Sequence, residues 1–343
     1  MPATLKDIAR LSGCSFQAVS AILRDQPGTR FSPATRARVL LVAEQLGYRP
    51  NASARAMRSG RTGCIAVLRG THPNHSSLSP PLLGGIMREL DSHDLHAAIL
   101  SLDDAQLTSP EHLPKLLREV VADGVLVKYD HRIPPRLGAL LAQAGIPAVW
   151  VNSRRPADCV HPDDLEAGRL ATDQLLRLGH RRIAYADFSY ELADPTEHYS
   201  AHDRHAGYRA AMRTARLAPR LLGGRRGHPA PAARLDFCLE TLRGPDRPTA
   251  VVGNSAWSTC PFWHAALRLG LRVPADLSLI TFENWRHDAL GQELTQYHVP
   301  EPEMGQAAVR MLLGLLAAPG VAQRTQELPF TWVPGETIAQ PSR

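Results

Sequence analysis

From residue 64 onward, short apolar runs alternate with longer stretches in which apolar residues recur every three or four positions. The runs at 64–68, 97–102, 124–127, 148–151, 183–186, 250–252 and 277–282 read as buried strands. The stretches at 82–93, 111–122, 135–144, 165–178, 204–215, 233–243 and 257–269 read as amphipathic helices. Such alternation predicts a parallel sheet covered by helices, and the number of units suits two Rossmann-like lobes. A further helix over 304–316 has an apolar face and no long heptad repeat after it, which suits support of a dimer better than a coiled coil.

The first fifty residues have a different rhythm. Thr4 followed by Asp7 forms a helix start, and Leu5, Ile8, Ala9 and Leu11 fall near helical spacing. Gly13 interrupts, as the turn of a helix-turn-helix does. Ser15 caps a second helix whose inward face carries Val19, Ile22 and Leu23, which leaves Phe16, Gln17, Ser20 and Ala21 outward. Those outward positions are the ones that would enter a major groove. Ser32-Pro33 starts a third helix, running through Arg36, Val39, Leu40 and Ala43 to Leu46 and stopped by Gly47. A generic three-helix bundle with solvated arginines would give the same pattern.

Charge separates the two readings. Residues 1–62 hold ten Lys and Arg against Asp7, Asp25 and Glu44, a net +7, while the whole chain is +6. All the excess positive charge therefore sits on the small module, the layout of a protein that holds phosphates at one end. Composition removes other classes. The length of 343 residues predicts two or three folding units. No apolar run approaches the roughly 20 residues that span a bilayer, so no membrane association is expected. The start lacks an apolar segment, which predicts no signal peptide. Five scattered cysteines without a Cys-x-x-Cys pair argue against disulfides and structural zinc, and predict a cytoplasmic protein. There is no P-loop, no Gly-x-Ser-x-Gly and no dinucleotide fingerprint, so neither an enzyme nor a cofactor is expected. Among fifteen histidines, His161-Pro162-Asp163-Asp164 and His198, His202 and His205 are the best clusters, yet no His-Glu-x-x-His occurs and no metal site is expected.

The head continues into Gly47-Tyr48-Arg49-Pro50-Asn51-Ala52-Ser53-Ala54-Arg55-Ala56-Met57-Arg58. With Leu5-Lys6-Asp7-Ile8-Ala9-Arg10 and Val19-Ser20, this block resembles the lac repressor (LacI) family of bacterial transcription regulators. The likeness extends through Leu178-Gly179-His180-Arg181-Arg182-Ile183, Arg204-His205-Ala206-Gly207-Tyr208 and Gly335-Glu336-Thr337. It implies a helical helix-turn-helix domain over 1–50, a hinge helix and linker over 51–62, and an α/β effector-binding and dimerisation domain over 63–343. That domain would be a clamshell like periplasmic binding proteins, one lobe being about 64–157 and 292–320, the other about 158–289 and 321–343, with three crossings between them. The function implied is a homodimeric repressor on double-stranded, pseudo-palindromic DNA, controlled by a small ligand, a carbohydrate by the family's habit. Regulation by a nucleobase or by no effector, a solute-binding protein of the same clamshell type, and an enzyme on the same lobes are the rival readings.

The resemblance implies DNA contact by Thr4, Ser15, Phe16, Gln17, Ser20, Ala21, Tyr48, Asn51, Ala54, Arg55 and Met57. Glutamine pairs bidentately with adenine, whereas alanine at position 21 at most touches a thymine methyl where the family often has arginine. In the effector cleft the residues implied are His75, Leu78, Asn152, Arg204, Asn254, Glu283 and Trp285. Each of Asn152, Asn254 and Glu283 follows a predicted strand, where ligands of this fold bind. Asn152 and Glu283 stand where aspartate is usual, and the loop from Thr71 to Leu78 lacks the family's aromatics.

Met57 falls at the position of the family's minor-groove wedge, an apolar side chain that unstacks a base step; the plain alternative is packing against its dimer mate. Met57→Gly should cut specific operator affinity far more than non-specific affinity, measured by titration at fixed salt. Equal loss on both DNAs would remove the wedge role.

Overall fold

The computed structural model describes residues 3–23, 30–48, 61–72, 76–109, 111, 122–130, 133–224, 230–286 and 291–342. Its contacts divide the chain into two units, Met1–Thr62 and Gly63–Arg343.

In the first unit Thr4 and Asp7 cap each other: the Asp7 N–H donates to Thr4 Oγ1 at 3.4 Å and the Thr4 N–H to the Asp7 carboxylate at 3.0 Å. This starts α1 (Leu5–Ser12), which ends at Gly13 with φ 65°. Ser15 Oγ accepts from the Ala18 N–H at 3.1 Å and starts α2 (Phe16–Leu23). Ser32 and Pro33 start α3 (Pro33–Gln45) in the same way. Ile8, Val19, Ile22, Val39 and Ala43 form the core. Three assignments of face change. Leu11 is 55% exposed and Ser12 is buried, because positions 5, 8, 9 and 12 share the inward stripe. Leu40 is exposed too. Ser20, expected outward, is buried: the helical step sets it beside Val19, one turn before Leu23.

In the second unit the strands are β1 (Cys64–Gly70), β2 (His96–Leu102), β3 (Gly124–Lys128), β4 (Ala148–Val151), β5 (Cys159–Pro162), β6 (Ile183–Asp187), β7 (Arg220–Gly223), β8 (Ala250–Gly253), β9 (Ser278–Glu283), β10 (Thr295–His298), β11 (Gln326–Leu328) and β12 (Thr331–Val333). The helices are α4 (Pro80–Asp91), α5 (Asp104–Thr108), α6 (Leu137–Gln143), α7 (Asp164–Arg177), α8 (Tyr199–Thr214), α9 (Pro231–Arg243), α10 (Ala256–Arg268) and α11 (Glu301–Ala317). The helix expected over 111–122 lies mostly outside the described residues. The strands form two six-stranded sheets, ordered β11-β5-β4-β3-β1-β2 and β12-β10-β9-β8-β6-β7. Every strand pairing is parallel except β10 with β12. Two doubly wound lobes result, each with apolar clusters on both sheet faces.

The chain crosses between the lobes three times, but not at the expected places. Residues 159–162 and 326–328 extend the first sheet, and 295–298 belongs to the second. The first lobe therefore takes 158–162 and the segment to 328, and the second takes 292–298. Short strands whose polar side chains interrupt the apolar pattern conceal these crossings.

One device recurs in both lobes. Helices α4 and α11 of the first lobe meet at Gly85 and Gly305, and a β-carbon on Gly85 would overlap the Pro302 carbonyl oxygen. Helices α7 and α8 of the second lobe meet at Gly168 and Gly207, where β-carbons would overlap the carbonyl oxygens of Arg204 and Leu165. Close backbone approach at these crossings requires glycine. Gly207→Ala should cost about 1–3 kcal/mol by overpacking, read as a fall in Tm of several degrees. Gly84→Ala, on α4 with open space around it, is the control and should not lower Tm. Equal losses in both variants would refute the argument from close approach.

Candidate functional site

In the head, Phe16 (45% exposed) and Gln17 project from the first turn of α2, and Ala21 is half-buried one turn on. Thr4 and Ser15 are exposed caps of α1 and α2, and Tyr48 packs partly against the head's core. Lys6, Arg10, Arg30 and Arg38 are exposed, which supplies cations for phosphates. Arg38 Nη2 donates to Cys14 Sγ at 3.6 Å, and this hydrogen bond holds the thiol below its usual range. Asn51, Ala54, Arg55 and Met57 lie outside the described residues.

In the body, the carboxyl ends of the strands carry a dense polar cluster. Arg204 of α8 donates through Nε to Asp164 Oδ1 at 2.6 Å and through Nη1 to the Asn254 carbonyl at 2.9 Å. Its guanidinium lies over Phe282 and Phe330, 5.0 and 5.4 Å from the ring centres. Asn254 is buried after β8, and its Oδ1 accepts from Tyr185 OH at 3.0 Å. Glu283, at the end of β9, accepts the Ala256 N–H at 2.6 Å. Asn152 follows β4 in the left-handed conformation, φ 60°. Its Nδ2 donates to Asp130 at 2.7 Å, its Oδ1 accepts from Tyr199 OH at 2.8 Å, and its carbonyl accepts from His198 Nε2 at 3.0 Å. Arg154 beside it pairs with Asp203 at 2.6 Å. Asn152 and Arg154 belong to the first lobe and His198, Tyr199 and Asp203 to the second, so these bonds tie the lobes together.

Of the residues expected in the cleft, Arg204 and Asn254 come together, and Asn152 joins the same region through α8. Leu78 instead packs against the first lobe's core with Leu82 and Ile86. Its place before the cap of α4 turns an apolar side chain inward. Trp285 is 52% exposed beyond β9, and His75 lies outside the described residues.

Sequence reading missed Lys128, Asp130, Asp164, Asp187, Tyr185, His198 and Tyr199. Lys128 is buried and pairs with Asp130. Burial would raise the Asp130 carboxyl, but the Lys128 ammonium paired with it outweighs burial and holds it below its usual range. A lysine closing the apolar strand Gly124–Lys128 was the available signal. His198 is pushed down to about 4 by burial, which keeps the ring neutral, with Nδ1 facing Ser200 Oγ at 2.7 Å. His202 and His161 likewise bond to carbonyls, those of Asp194 and Pro162. Asp187 ends β6; its Oδ1 accepts from the N–H groups of Ser189 and Tyr190 at 2.8 and 3.2 Å. Its Oδ2, like Asp164 Oδ2, is buried with no donor among the described residues.

A helix-turn-helix head on a two-lobed body with a buried polar cleft defines a ligand-responsive DNA-binding transcription regulator. Residues 4–51 match the model of bacterial regulatory proteins of the lacI family, and residues 172–338 that of a periplasmic binding protein-like domain. The chain thus carries a lacI-family DNA-binding domain together with a periplasmic binding protein-like domain. It is 28% identical over 336 residues to the ribose operon repressor of Escherichia coli K12, covering 95% of this chain and 97% of the relative. It is 27% identical over 346 residues to the transcriptional repressor PurR of Erwinia tasmaniensis, covering 98% and 97%. Among solved structures, the lac repressor dimer bound to operator and an anti-inducer superposes with a TM-score of 0.73 at 21% identity, covering 99% and 100%. A LacI-family regulator from Silicibacter pomeroyi gives 0.65 at 26%, covering 98% and 100%. These relatives are regulators. Among the described residues no helix is long and apolar enough to cross a membrane.

Burial raises the Asp187 carboxyl to about 7 from an ordinary value of 3.8. The folded state is then unpenalised below pH 3.8 and loses stability as pH rises toward 7, by up to about 4 kcal/mol. The Tm of Asp187→Asn relative to the wild type should therefore climb across that window and level off above it. A difference independent of pH would show that Asp187 is not held protonated.

Proposed function

We propose a cytoplasmic, non-enzymatic repressor that binds a pseudo-palindromic operator as a homodimer and is controlled by a hydroxyl-rich small molecule between the lobes. Phe16 and Gln17 read the major groove, with Ala21 at a thymine methyl; Thr4, Ser15, Tyr48 and Asn51 hold phosphates; Ala54, Arg55 and Met57 form the hinge at the minor groove. One observation carries the choice of effector. Asp164 and Asp187 each keep a buried carboxyl oxygen that no donor among the described residues meets, beside a fixed guanidinium at Arg204. A polyhydroxylated compound brings the missing donors, which suits a carbohydrate.

Binding and operator affinity are linked through lobe closure, with each ligand favouring one angle. The bonds from Tyr199 and His198 to Asn152 and the Arg154–Asp203 pair hold the cleft walls together by themselves. That supports a second reading, in which closure and operator binding need no effector.

The deciding experiment is a thermal-shift screen of the full chain against neutral sugars, purines and small acids, followed by operator binding with each hit. A sugar at 100 times its Kd should add roughly 2.7 kcal/mol of stability. Arg204→Ala should abolish that gain. A purine hit would replace the sugar, and no hit would favour regulation without effector.

A further inference from the structure

Arg234 is the buried charge of the second lobe that the cleft network does not use. It lies on α9, is only 5% exposed, and its Nε and Nη1 are buried with no hydrogen-bond partner among the described residues. Its guanidinium stacks 3.9 Å from the ring centre of Trp257, the second residue of α10. A buried guanidinium stacked on an indole with two of its nitrogens unmet is an expensive arrangement unless something else meets them.

The start of α10 holds a second unmet donor. Ser255 is the N-cap, but its side chain makes no capping bond, and its Oγ is buried without a partner among the described residues. The first turn of α10 carries no acid. The Glu283 carboxylate takes the Ala256 N–H and already answers part of the amino end of this thirteen-residue helix, so the donors left unengaged beside it, among the described residues, are Arg234 Nε and Nη1 and Ser255 Oγ.

We propose that Arg234, Ser255 and the amino end of α10 form a subsite for an oxyanion, a phosphate or carboxylate group, adjoining the effector cleft. Ser255 directly follows Asn254, whose carbonyl Arg204 holds, so the subsite extends the cleft network by one residue. The effector is then an anionic metabolite, its hydroxyls toward Asp164 and Asp187 and its anion toward Arg234. This assignment rests on the cleft reading above. The guanidinium acts as fixed donor and the Trp257 indole as its lid, 52% exposed and free to report on what arrives.

The test uses the full chain at constant ionic strength, titrated with inorganic phosphate, acetate, ribose and ribose 5-phosphate, with tryptophan fluorescence and Tm as readouts. Phosphate, acetate or the sugar phosphate should give a saturable response. Arg234→Leu should weaken it about ten- to hundredfold, the loss of charge-assisted hydrogen bonds, and Ser255→Ala should weaken it less. Arg234→Lys keeps the charge, should retain part of the response, and serves with Ser255→Ala if Arg234→Leu does not fold. A response to the free oxyanions marks an independent anion site; one confined to ribose 5-phosphate marks a ligand-borne anion; either supports the subsite. A response unchanged in Arg234→Leu, or no saturable response to any anion, overturns it. If neutral ribose binds, is lost in Arg204→Ala and is unchanged in Arg234→Leu while every anion fails, the cleft reading stands and the subsite alone falls.

Discussion

The ion pair of Arg204 with Asp164 is the contact around which the second lobe's cleft wall is arranged. Asp164 is fully buried and Arg204 nearly so, so neither charge is tolerable alone. Breaking such a pair costs about 3–5 kcal/mol, although its net contribution beside an apolar substitute is small. Its value is positional. Asp164 opens α7, Arg204 sits in the second turn of α8, and the Asn254 carbonyl brings in the end of β8. The glycine crossing at Gly168 and Gly207 fixes how closely the two helices approach, and so fixes the reach of the guanidinium. Phe282 and Phe330 form an apolar floor that leaves the charge no other direction to relax.

The same helix also faces the other lobe. The first residue of α8 and its cap, Tyr199 and His198, bond to Asn152, while Arg204 less than two turns later bonds within its own lobe. Asn152 pays for this with a left-handed backbone, which asparagine tolerates better than most residues. Lys128 and Asp130 stand behind it and fix its amide. On the proposed function, a ligand that competes for Arg204 would act on a helix whose other end holds the opposite lobe. Coupling of that kind needs no deformation of either sheet, only a change in how α8 meets Asn152.

Much of this architecture was legible in the sequence because the central strands are continuous apolar runs. Residues 148–151 coincide with a strand, and the other six expected strands overlap observed ones within one or two residues. Cys159–Pro162, Arg220–Gly223, Thr295–His298, Gln326–Leu328 and Thr331–Val333 were illegible. They are three or four residues long, lie at or next to a sheet edge, and carry polar side chains where periodicity needs apolar ones. The first turn of α8 was hidden likewise, since Tyr199, Ser200, His202 and Asp203 serve the cleft and its surroundings rather than a core stripe. Asn254, at the end of β8, and Arg204, three residues before Gly207 on α8, could be located from their position in the sequence. Lys128, Asp164 and Asp187 were not, because what marks them is burial beside an opposite charge or without a donor, which emerges only in three dimensions.

That distribution of partners bears on what the cleft can discriminate. Most of its polar groups are already bonded to one another, so a ligand that displaces them exchanges one hydrogen bond for another with little net gain. Net gain is available where a buried carboxyl oxygen has no partner among the described residues, as at Asp164 Oδ2 and Asp187 Oδ2. A site with unmet acceptors rejects analogues that lack the matching donor far more strongly than it rejects a change in apolar bulk. The cleft's selectivity should accordingly follow the number and placement of a ligand's hydroxyl or amine donors. Its regulatory power follows from a separate quantity, the difference in affinity between the two lobe arrangements. Asp164 is bonded within one lobe, whereas Asn152 is bonded across the lobes. On the proposed function, ligand groups that engage Asp164 would govern affinity, and those that compete at Asn152 would govern the response.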